Sequence, residues 1–289
     1  IVAPVMFRSK LKVYNKISEG RMGDGGGYRA GWYTVWIGPS GRGKTTNAYT
    51  LGADVISIGK KITFVSKESD NQVEARILLA LSGLTYTEIN QRHGIDVQPR
   101  YDEAGKSIMW YDSDGNSLGE WHLGRVREVV MRQWEDYMES HLCIYPWEYL
   151  NRVRDVIAWD DSDVFIVDWI GIADNPDKYN VQSGLGKISQ ELGLTFESTR
   201  KSGHAFFQMS DGEKTAYEKN RLHQVIPYGA YTIIHPANQV VQTRIADIPD
   251  RQHYLRTKCR ASGPIEEFES YFDGSRLVYT DLPEVAVHL

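Results

Sequence analysis

The segment Gly38–Thr45, GPSGRGKT, constrains the fold of this chain more than any other feature. It follows a β-rich apolar run, Trp32–Ile37, and precedes a segment with helical spacing, Thr45–Ser57. The pattern G-x4-G-K-[ST] between a strand and a helix is typical of a phosphate-binding P-loop. Its glycines let backbone N–H groups turn inward around a phosphate, and the helix N-terminus adds partial positive charge. The simpler alternative is a glycine-rich turn before an ordinary helix.

The motif predicts a site for ATP and Mg²⁺. We expect Lys44 to bridge the β- and γ-phosphates and the Thr45 hydroxyl to hold the metal ion. Nucleotide contacts are expected from the residues of the loop and the first helical turn: Gly38, Ser40, Gly41, Arg42, Gly43, Lys44, Thr45 and Thr46.

Carboxylates that would complete this site follow two predicted strands. Asp168 ends the apolar run Val164–Val167 and is the predicted second Mg²⁺ ligand; the alternative is an Asp that caps the strand. The residue after Asp168 is Trp169 and not a glutamate that could act as the general base, so the base must lie elsewhere in the sequence. Glu68, two residues after the predicted strand 61–66, is placed to deprotonate or orient the attacking water. Glu74 on the following helix is the competing candidate.

Strands alternate with helices along the chain, which predicts an α/β fold of the P-loop NTPase type. We expect a mainly parallel, twisted sheet covered by helices. Predicted strands besides those above cover residues 142–145, 204–208, 230–234, 238–243, 253–258 and 277–280. Predicted helices cover residues 72–81, 125–140 and 147–159.

The chain is interpreted as one large domain, residues 23–289, preceded by an N-terminal arm or linker helix, residues 1–22. In the arm, apolar side chains recur at helical spacing, at Phe7, Leu11, Tyr14 and Ile17. An insertion over about residues 96–124 is expected to form a β-hairpin that turns at Asp114–Gly115, with Trp110 and Trp121 on its arms.

Composition excludes several classes of protein. Two cysteines, Cys143 and Cys259, cannot form a disulfide framework and favour a reducing compartment. No apolar run reaches 18 residues, so no membrane span or membrane partner is expected. The 33 basic and 38 acidic side chains give a net charge of −5, which argues against a generally basic nucleic-acid binder but not against local basic loops.

Four motifs in order, GPSGRGKTT, KITFVSKES, DVFIVDWIGI and HYLRTKCRASGP, resemble the RecA-like ATPase core of DnaB-type ring helicases of superfamily 4, including phage replicative helicases. The resemblance covers about residues 20–280. It implies that Gln208, at the end of its strand, senses the γ-phosphate. It also implies that Lys258 and Arg260 reach the γ-phosphate held by a neighbouring subunit, with Arg260 as the arginine finger. The alternative is a solvated basic strand edge.

The resemblance also implies that the loop after Gln208 lines a central channel. Phosphate contacts to single-stranded DNA are expected from Lys214, Lys219 and Arg221, and base stacking from Tyr217. Interleaved acidic residues leave a solvated surface loop as the alternative. A second loop, residues 173–184, offers Lys178. Tyr271 is a candidate for adenine stacking, although a core tyrosine fits the sequence equally well.

The resulting hypothesis is an ATP-driven, ring-forming DNA helicase that translocates on single-stranded DNA and unwinds duplex DNA at a replication fork. It implies a homo-oligomer, a hexameric ring, with primase, polymerase or loader proteins as further partners. Two alternatives stay open: a RecA-like recombinase or filament-forming DNA-dependent ATPase, and a viral genome-packaging ATPase.

Overall fold

A mainly parallel β-sheet forms the centre of the protein. The computed structural model describes residues 3–19, 23–38, 41, 43–83, 98–101, 108–111, 114–115, 132–147, 152–170, 174, 181–208, 233–245, 250–259, 266–274 and 276–282. Within these ranges the strands are β1 Val5–Phe7, β2 Tyr28–Arg29, β3 Tyr33–Gly38, β4 Ile62–Ser66, β5 Gln98–Tyr101, β6 Ile108–Tyr111, β7 Leu142–Pro146, β8 Val164–Ile170, β9 Ser202–Gln208, β10 Gln239–Ile245, β11 Arg251–Cys259, β12 Glu266–Asp273 and β13 Val278–Thr280.

Nine of these described strands pair in the order β13-β12-β11-β10-β3-β9-β8-β4-β7. The six strands from β10 to β7 run parallel, so their carboxyl ends share one edge of the sheet. After β10 the chain reverses, because β11, β12 and β13 are each antiparallel to the preceding strand. The expected mainly parallel sheet is confirmed.

Helices cover both faces of the sheet, as expected. They are α1 Lys12–Ser18, α2 Lys44–Ser57, α3 Asp70–Ser82, α4 Arg132–His141, α5 Val153–Trp159 and α6 Val181–Thr199. The first apolar core contains residues of the four helices α1, α2, α3 and α4 together with Val164 and Ile166 of β8. The second core joins α5 and α6 with Phe165 and Val167 of the same strand. Because neighbouring residues of a strand face opposite ways, the unbroken apolar run of β8 is buried on both sides.

The N-terminal arm contacts the main body closely. Phe7 does not belong to the predicted helix, since it pairs with Tyr28 between β1 and β2. Helix α1 begins only after Leu11, and Tyr14 and Ile17 are its buried apolar residues. The carbonyl groups at its C-terminal end accept hydrogen bonds from buried side chains of the main body, from Arg29, Gln239 and Arg256.

One prediction about local structure stays a prediction, and one was wrong. Strand β6 pairs with the preceding strand β5, with Tyr101 opposite Ile108. The second arm of the predicted hairpin, with Trp121, lies outside the described residues, so pairing across Asp114–Gly115 stays a prediction. Residues 233–234 are helical and not part of a strand. Their carbonyl groups accept hydrogen bonds from the Ser189 hydroxyl and the Lys258 ammonium, which replace a strand partner.

In the described ranges, no helix combines the length and the apolar character that crossing a membrane requires.

Candidate nucleotide site

The glycine-rich loop lies at the carboxyl edge of the sheet, between β3 and α2. Gly43 is the N-cap of α2 with a φ of 73°, and Gly41 has a φ of 70°, a left-handed conformation that favours glycine. A Cβ atom on Gly38 would lie 1.9 Å from Thr243 Oγ1, so this position also excludes a side chain. Ser40 and Arg42 lie outside the described residues, and their contacts remain predictions.

Lys44 starts helix α2, and its side chain folds back over the loop. Its Nζ atom donates a hydrogen bond to the Gly38 carbonyl oxygen at 2.8 Å, in a buried position. Burial lowers the pKa of this ammonium to about 8, and the nearby Asp168 carboxylate opposes the shift. A phosphate group at this place would raise this pKa again, since an opposite charge stabilises the ammonium form.

Asp168 is the most unusual side chain in the site. It lies within β8, which continues to Ile170 and does not end at the aspartate as expected. The residue is 1% exposed, and neither carboxylate oxygen forms a hydrogen bond of ordinary length and angle. The Thr45 side chain acts on the carboxylate only as a weak hydrogen-bond donor. Burial raises the pKa of Asp168 to about 7; Thr45 and Lys44 oppose the shift, and Glu68 adds to it.

These features fit a magnesium ion. An ionised carboxylate without partners needs a cation, and the Thr45 side chain is close enough to act on its pKa. Among the described residues, no group of three or more His, Cys, Asp or Glu side chains is arranged to hold a metal ion. A site with one carboxylate and one hydroxyl agrees with that finding, because Mg²⁺ commonly takes its other ligands from water and nucleotide phosphates.

Glu68 comes two residues after β4, beside this carboxylate. Strand β4 pairs with β8 so that Ser66 lies opposite Asp168, and the Glu68 backbone N–H donates to Ser66 Oγ at 3.0 Å. The charge of Glu68 raises the pKa of both Asp168 and Tyr49, so its carboxylate lies within electrostatic reach of the site. Glu74 is in the second turn of α3, six residues farther along the chain.

Gln208 and Tyr271 lie at the same edge of the sheet as the loop. Gln208 ends β9 and pairs directly with Gly38. Tyr271, a half-buried residue of β12, pairs with Arg251 and Thr280. Three strand spacings separate β12 from β3, which corresponds to about 14 Å.

Lys258 lies toward the opposite edge. It pairs with Val240, which pairs with Val35, three residues before Gly38 and therefore about 10 Å from it along the strand. Its Nζ atom donates to the carbonyl oxygens of Ile234 and His235 at 2.8 and 2.7 Å. Arg260 follows two residues later in the sequence and lies outside the described residues.

Two further residues of the site were not found from the sequence. A Cβ atom on Gly43 would lie 1.9 Å from the Tyr279 hydroxyl, which donates to Gln252 Oε1 at 3.1 Å. Both side chains are buried, and they pack against the point where the loop enters α2. No sequence signal marks them, because only the pairing of β11, β12 and β13 brings them to the loop.

The residues predicted to contact DNA lie outside the described ranges. These are Lys178, Lys214, Tyr217, Lys219 and Arg221. Their roles remain predictions.

The sequence matches no protein-family model and no curated protein, whereas solved structures share its architecture. A DnaB-like replicative helicase, described with its interactions with primase, has a TM-score of 0.64 at 9% identity, over 97% of this chain and 63% of that one. A second solved structure, an ATPase domain, has a TM-score of 0.65 at 10% identity, over 94% and 90% of the two chains. The RadB recombinase has a TM-score of 0.53 at 15% identity, over 90% and 94%.

At these identities the similarity concerns the fold. The protein has the RecA-like fold that DnaB-type helicase ATPase domains share with a recombinase of the RecA type, as the sequence motifs implied. It spans 63% of the length of the DnaB-like helicase.

Proposed function

We propose that this chain is the ATP-hydrolysing motor domain of a ring-forming DNA helicase, which translocates on single-stranded DNA and unwinds duplex DNA at a replication fork. The observation that carries the proposal is the unpartnered, buried Asp168 carboxylate beside Lys44 and the glycine loop. A protein keeps such a group at a cost in stability, and strongly perturbed carboxylates in this setting mark functional sites.

Each side chain at this edge has a chemical task. Lys44 would neutralise the β- and γ-phosphates. Thr45 and Asp168 would hold Mg²⁺, which when bound would supply charge stabilisation to the phosphates. Glu68 accepts a proton from the attacking water or orients it, and Gln208, paired with Gly38, contacts the γ-phosphate. Tyr271, farther along the same edge, is the proposed residue that stacks on the adenine.

The direction of β11 supports a finger that acts between subunits. Strand β11 begins at the edge of the glycine loop and runs away from it, so Cys259 lies beside Gln239 at the start of β10. Lys258 thus lies farther along the strand, away from its own P-loop. We propose that Arg260, two residues later in the sequence, contacts the γ-phosphate of a neighbouring copy, so that hydrolysis requires assembly.

Single-stranded DNA is the proposed track, in the cytoplasm of a bacterium or a phage-infected host. The loop after Gln208 follows a strand that ends at the nucleotide edge, and we propose that its basic residues link phosphate sensing with DNA binding. Lys214, Lys219 and Arg221 would contact DNA phosphates and Tyr217 a base, with Lys178 in the second loop. Primase, polymerase or loader proteins are proposed as partners of the ring.

A RecA-like recombinase or filament-forming DNA-dependent ATPase is the second candidate, because the RadB recombinase shares the fold. Forked DNA with ATP separates the two functions. A helicase separates the strands, whereas a recombinase forms joint molecules. Negative-stain images with a non-hydrolysable ATP analogue give an independent result: a closed ring supports the helicase, and a helical filament supports the recombinase.

Mixed assemblies test the intersubunit finger. Arg260→Ala should bind ATP nearly normally and lose roughly 10³-fold in turnover, while Lys44→Ala should lose hydrolysis and bind nucleotide weakly. Mixing the two variants should restore ATPase activity, because a Lys44→Ala subunit can donate its intact arginine to a neighbour with an intact P-loop. Arg154→Ala, an exposed arginine on α5, is the control and should behave as wild type.

Mixed assemblies without restored activity, with co-assembly confirmed, would contradict the intersubunit finger. Turnover of Lys44→Ala at the wild-type rate would contradict the P-loop assignment itself.

A further inference from the structure

A lysine beside the predicted general base lies between two indole rings. The Lys67 ammonium is 3.9 Å from the centroid of the Trp169 ring and 4.6 Å from that of Trp147. Its Nζ atom donates to Asp174 Oδ2 at 2.6 Å, and Trp147 Nε1 donates to Asp174 Oδ1 at 2.8 Å. The Lys67 and Asp174 side chains are only 22% and 9% exposed. We call these four residues the lysine clamp.

The clamp joins the chain segments that follow three neighbouring parallel strands. Lys67 follows β4, Trp147 follows β7, and Trp169 and Asp174 come from the end of β8 and the segment after it. Cation–π contacts and a charge-assisted hydrogen bond are strongest in such partly desolvated places. These contacts hold the three segments in one arrangement at the carboxyl edge of the sheet.

Two residues that are adjacent in sequence to members of the lysine clamp belong to the nucleotide site. Glu68 directly follows Lys67, and Trp169 directly follows Asp168. The Lys67 backbone N–H donates to the Asp168 carbonyl oxygen at 3.1 Å, so backbone and side chain of this lysine both bind the end of β8. A shift of Lys67 would displace Glu68 relative to Asp168.

We propose that Lys67 is a positioning residue: held between Trp147 and Trp169 and bound to Asp174, it fixes Glu68 at the distance from the Mg²⁺ site that hydrolysis needs. This inference rests on the proposed ATPase function and on Glu68 as the base. A general base misplaced by about 1 Å can lose about 10²-fold in rate, so fixing the base is a sufficient reason for the clamp.

The first experiment compares turnover per occupied nucleotide site. Lys67→Met keeps the length and apolar contacts of the side chain but removes its charge. Titration with a fluorescent ADP analogue gives the number of sites and the dissociation constant, and steady-state ATPase gives kcat. We expect an unchanged number of sites, a dissociation constant within about twofold and a kcat reduced about 10- to 100-fold. Lys67→Arg, whose guanidinium also stacks on indole and binds carboxylates, should recover most of the kcat.

Lys61→Met is the matched control. Lys61 immediately precedes the other end of β4 and forms an exposed ion pair with Asp161, so its loss should leave kcat unchanged. A purely structural role of Lys67 would reduce the number of nucleotide sites and leave kcat per site intact. That result, or wild-type kcat in Lys67→Met, would overturn the proposal.

A double-mutant cycle tests whether Lys67 acts through Glu68. The variant with both Lys67→Met and Glu68→Gln should turn over as slowly as Glu68→Gln alone, because a base that is absent cannot be misplaced. If kcat of the double variant instead falls by the product of the two single-variant factors, the proposal is overturned. Wild type and Glu68→Gln are measured first: an inactive wild type refutes the proposed function, and an unimpaired Glu68→Gln refutes the base assignment, whereas failure of the clamp alone leaves both intact.

Discussion

Replacing Asp168 by asparagine should stabilise the nucleotide-free protein at neutral pH. The carboxylate is buried without hydrogen-bond partners, and its pKa of about 7 compares with 3.8 for the side chain in water. At about 1.4 kcal/mol for each pKa unit, keeping this group ionised near pH 7.5 costs the folded state about 4 kcal/mol. A buried asparagine amide without partners costs about 1–3 kcal/mol. Asp168→Asn should therefore gain about 1–3 kcal/mol in unfolding free energy.

The pH dependence gives a second measure of the same cost. Because the pKa of Asp168 is higher in the folded than in the unfolded protein, the cost is absent below about pH 4 and complete above about pH 7. Between pH 6 and pH 7.5 it should lower wild-type stability by about 1 kcal/mol. The pKa of Lys44 is lowered instead, to about 8, so its own cost is present throughout this window and changes little. The unfolding free energy of Asp168→Asn should therefore lack this decrease of about 1 kcal/mol between pH 6 and pH 7.5.

Urea denaturation with EDTA and without nucleotide, followed by tryptophan emission, measures both quantities. Asp161→Asn, at an exposed position, is the control and should show the wild-type pH dependence. With ADP at about a hundred times its dissociation constant, binding should add about 2.7 kcal/mol to wild type. The part of this gain that requires Mg²⁺ should be missing in Asp168→Asn. A variant that is less stable than wild type at pH 7.5, with the same pH dependence, would refute the interpretation of Asp168 as an unpaired metal ligand.

Two further substitutions test other parts of the site. Glu68→Gln should keep nucleotide binding and slow hydrolysis by about 10²–10⁴-fold, measured by phosphate release. Glu74→Gln should hydrolyse ATP at the wild-type rate. The reverse result would make Glu74 the base. Gly38→Ala should lower the unfolding free energy by about 1–3 kcal/mol, because the new methyl group meets Thr243 Oγ1, and Thr243→Ala should recover part of this loss in urea denaturation. Equal losses with and without Thr243→Ala would exclude that contact as the cause.

The parts of the structure that the sequence predicted are those that local patterns determine. The glycine loop needs left-handed backbone at Gly41 and Gly43, and a strand buried on both faces needs an unbroken apolar run such as Val164–Val167. Both requirements leave a pattern within ten residues. Glu68 could be proposed as the base because parallel strands bring their carboxyl ends to one edge, whatever lies between them in sequence.

Residues that become neighbours only through strand pairing could not be predicted. Lys67 and Trp147 are eighty residues apart and meet because β4 pairs with β7. Strand β6 pairs with β5 before it, a partner that the turn sequence after it, Asp114–Gly115, did not indicate. A local turn signal competes with every other strand that the same segment can pair with, and the sequence alone does not rank these partners.

The direction of β11 bears on the choice between a finger that acts within one subunit and a finger that acts between subunits. The sequence around Lys258 and Arg260 is equally compatible with a parallel and with an antiparallel strand. A parallel β11 would carry Lys258 to its own glycine loop and favour a finger within one subunit. The observed antiparallel pairing places Lys258 opposite Val240 and level with Val35, about 10 Å from Gly38 along the strand direction. This placement favours the proposed finger between two copies of the chain, which the mixed assemblies of Arg260→Ala and Lys44→Ala test.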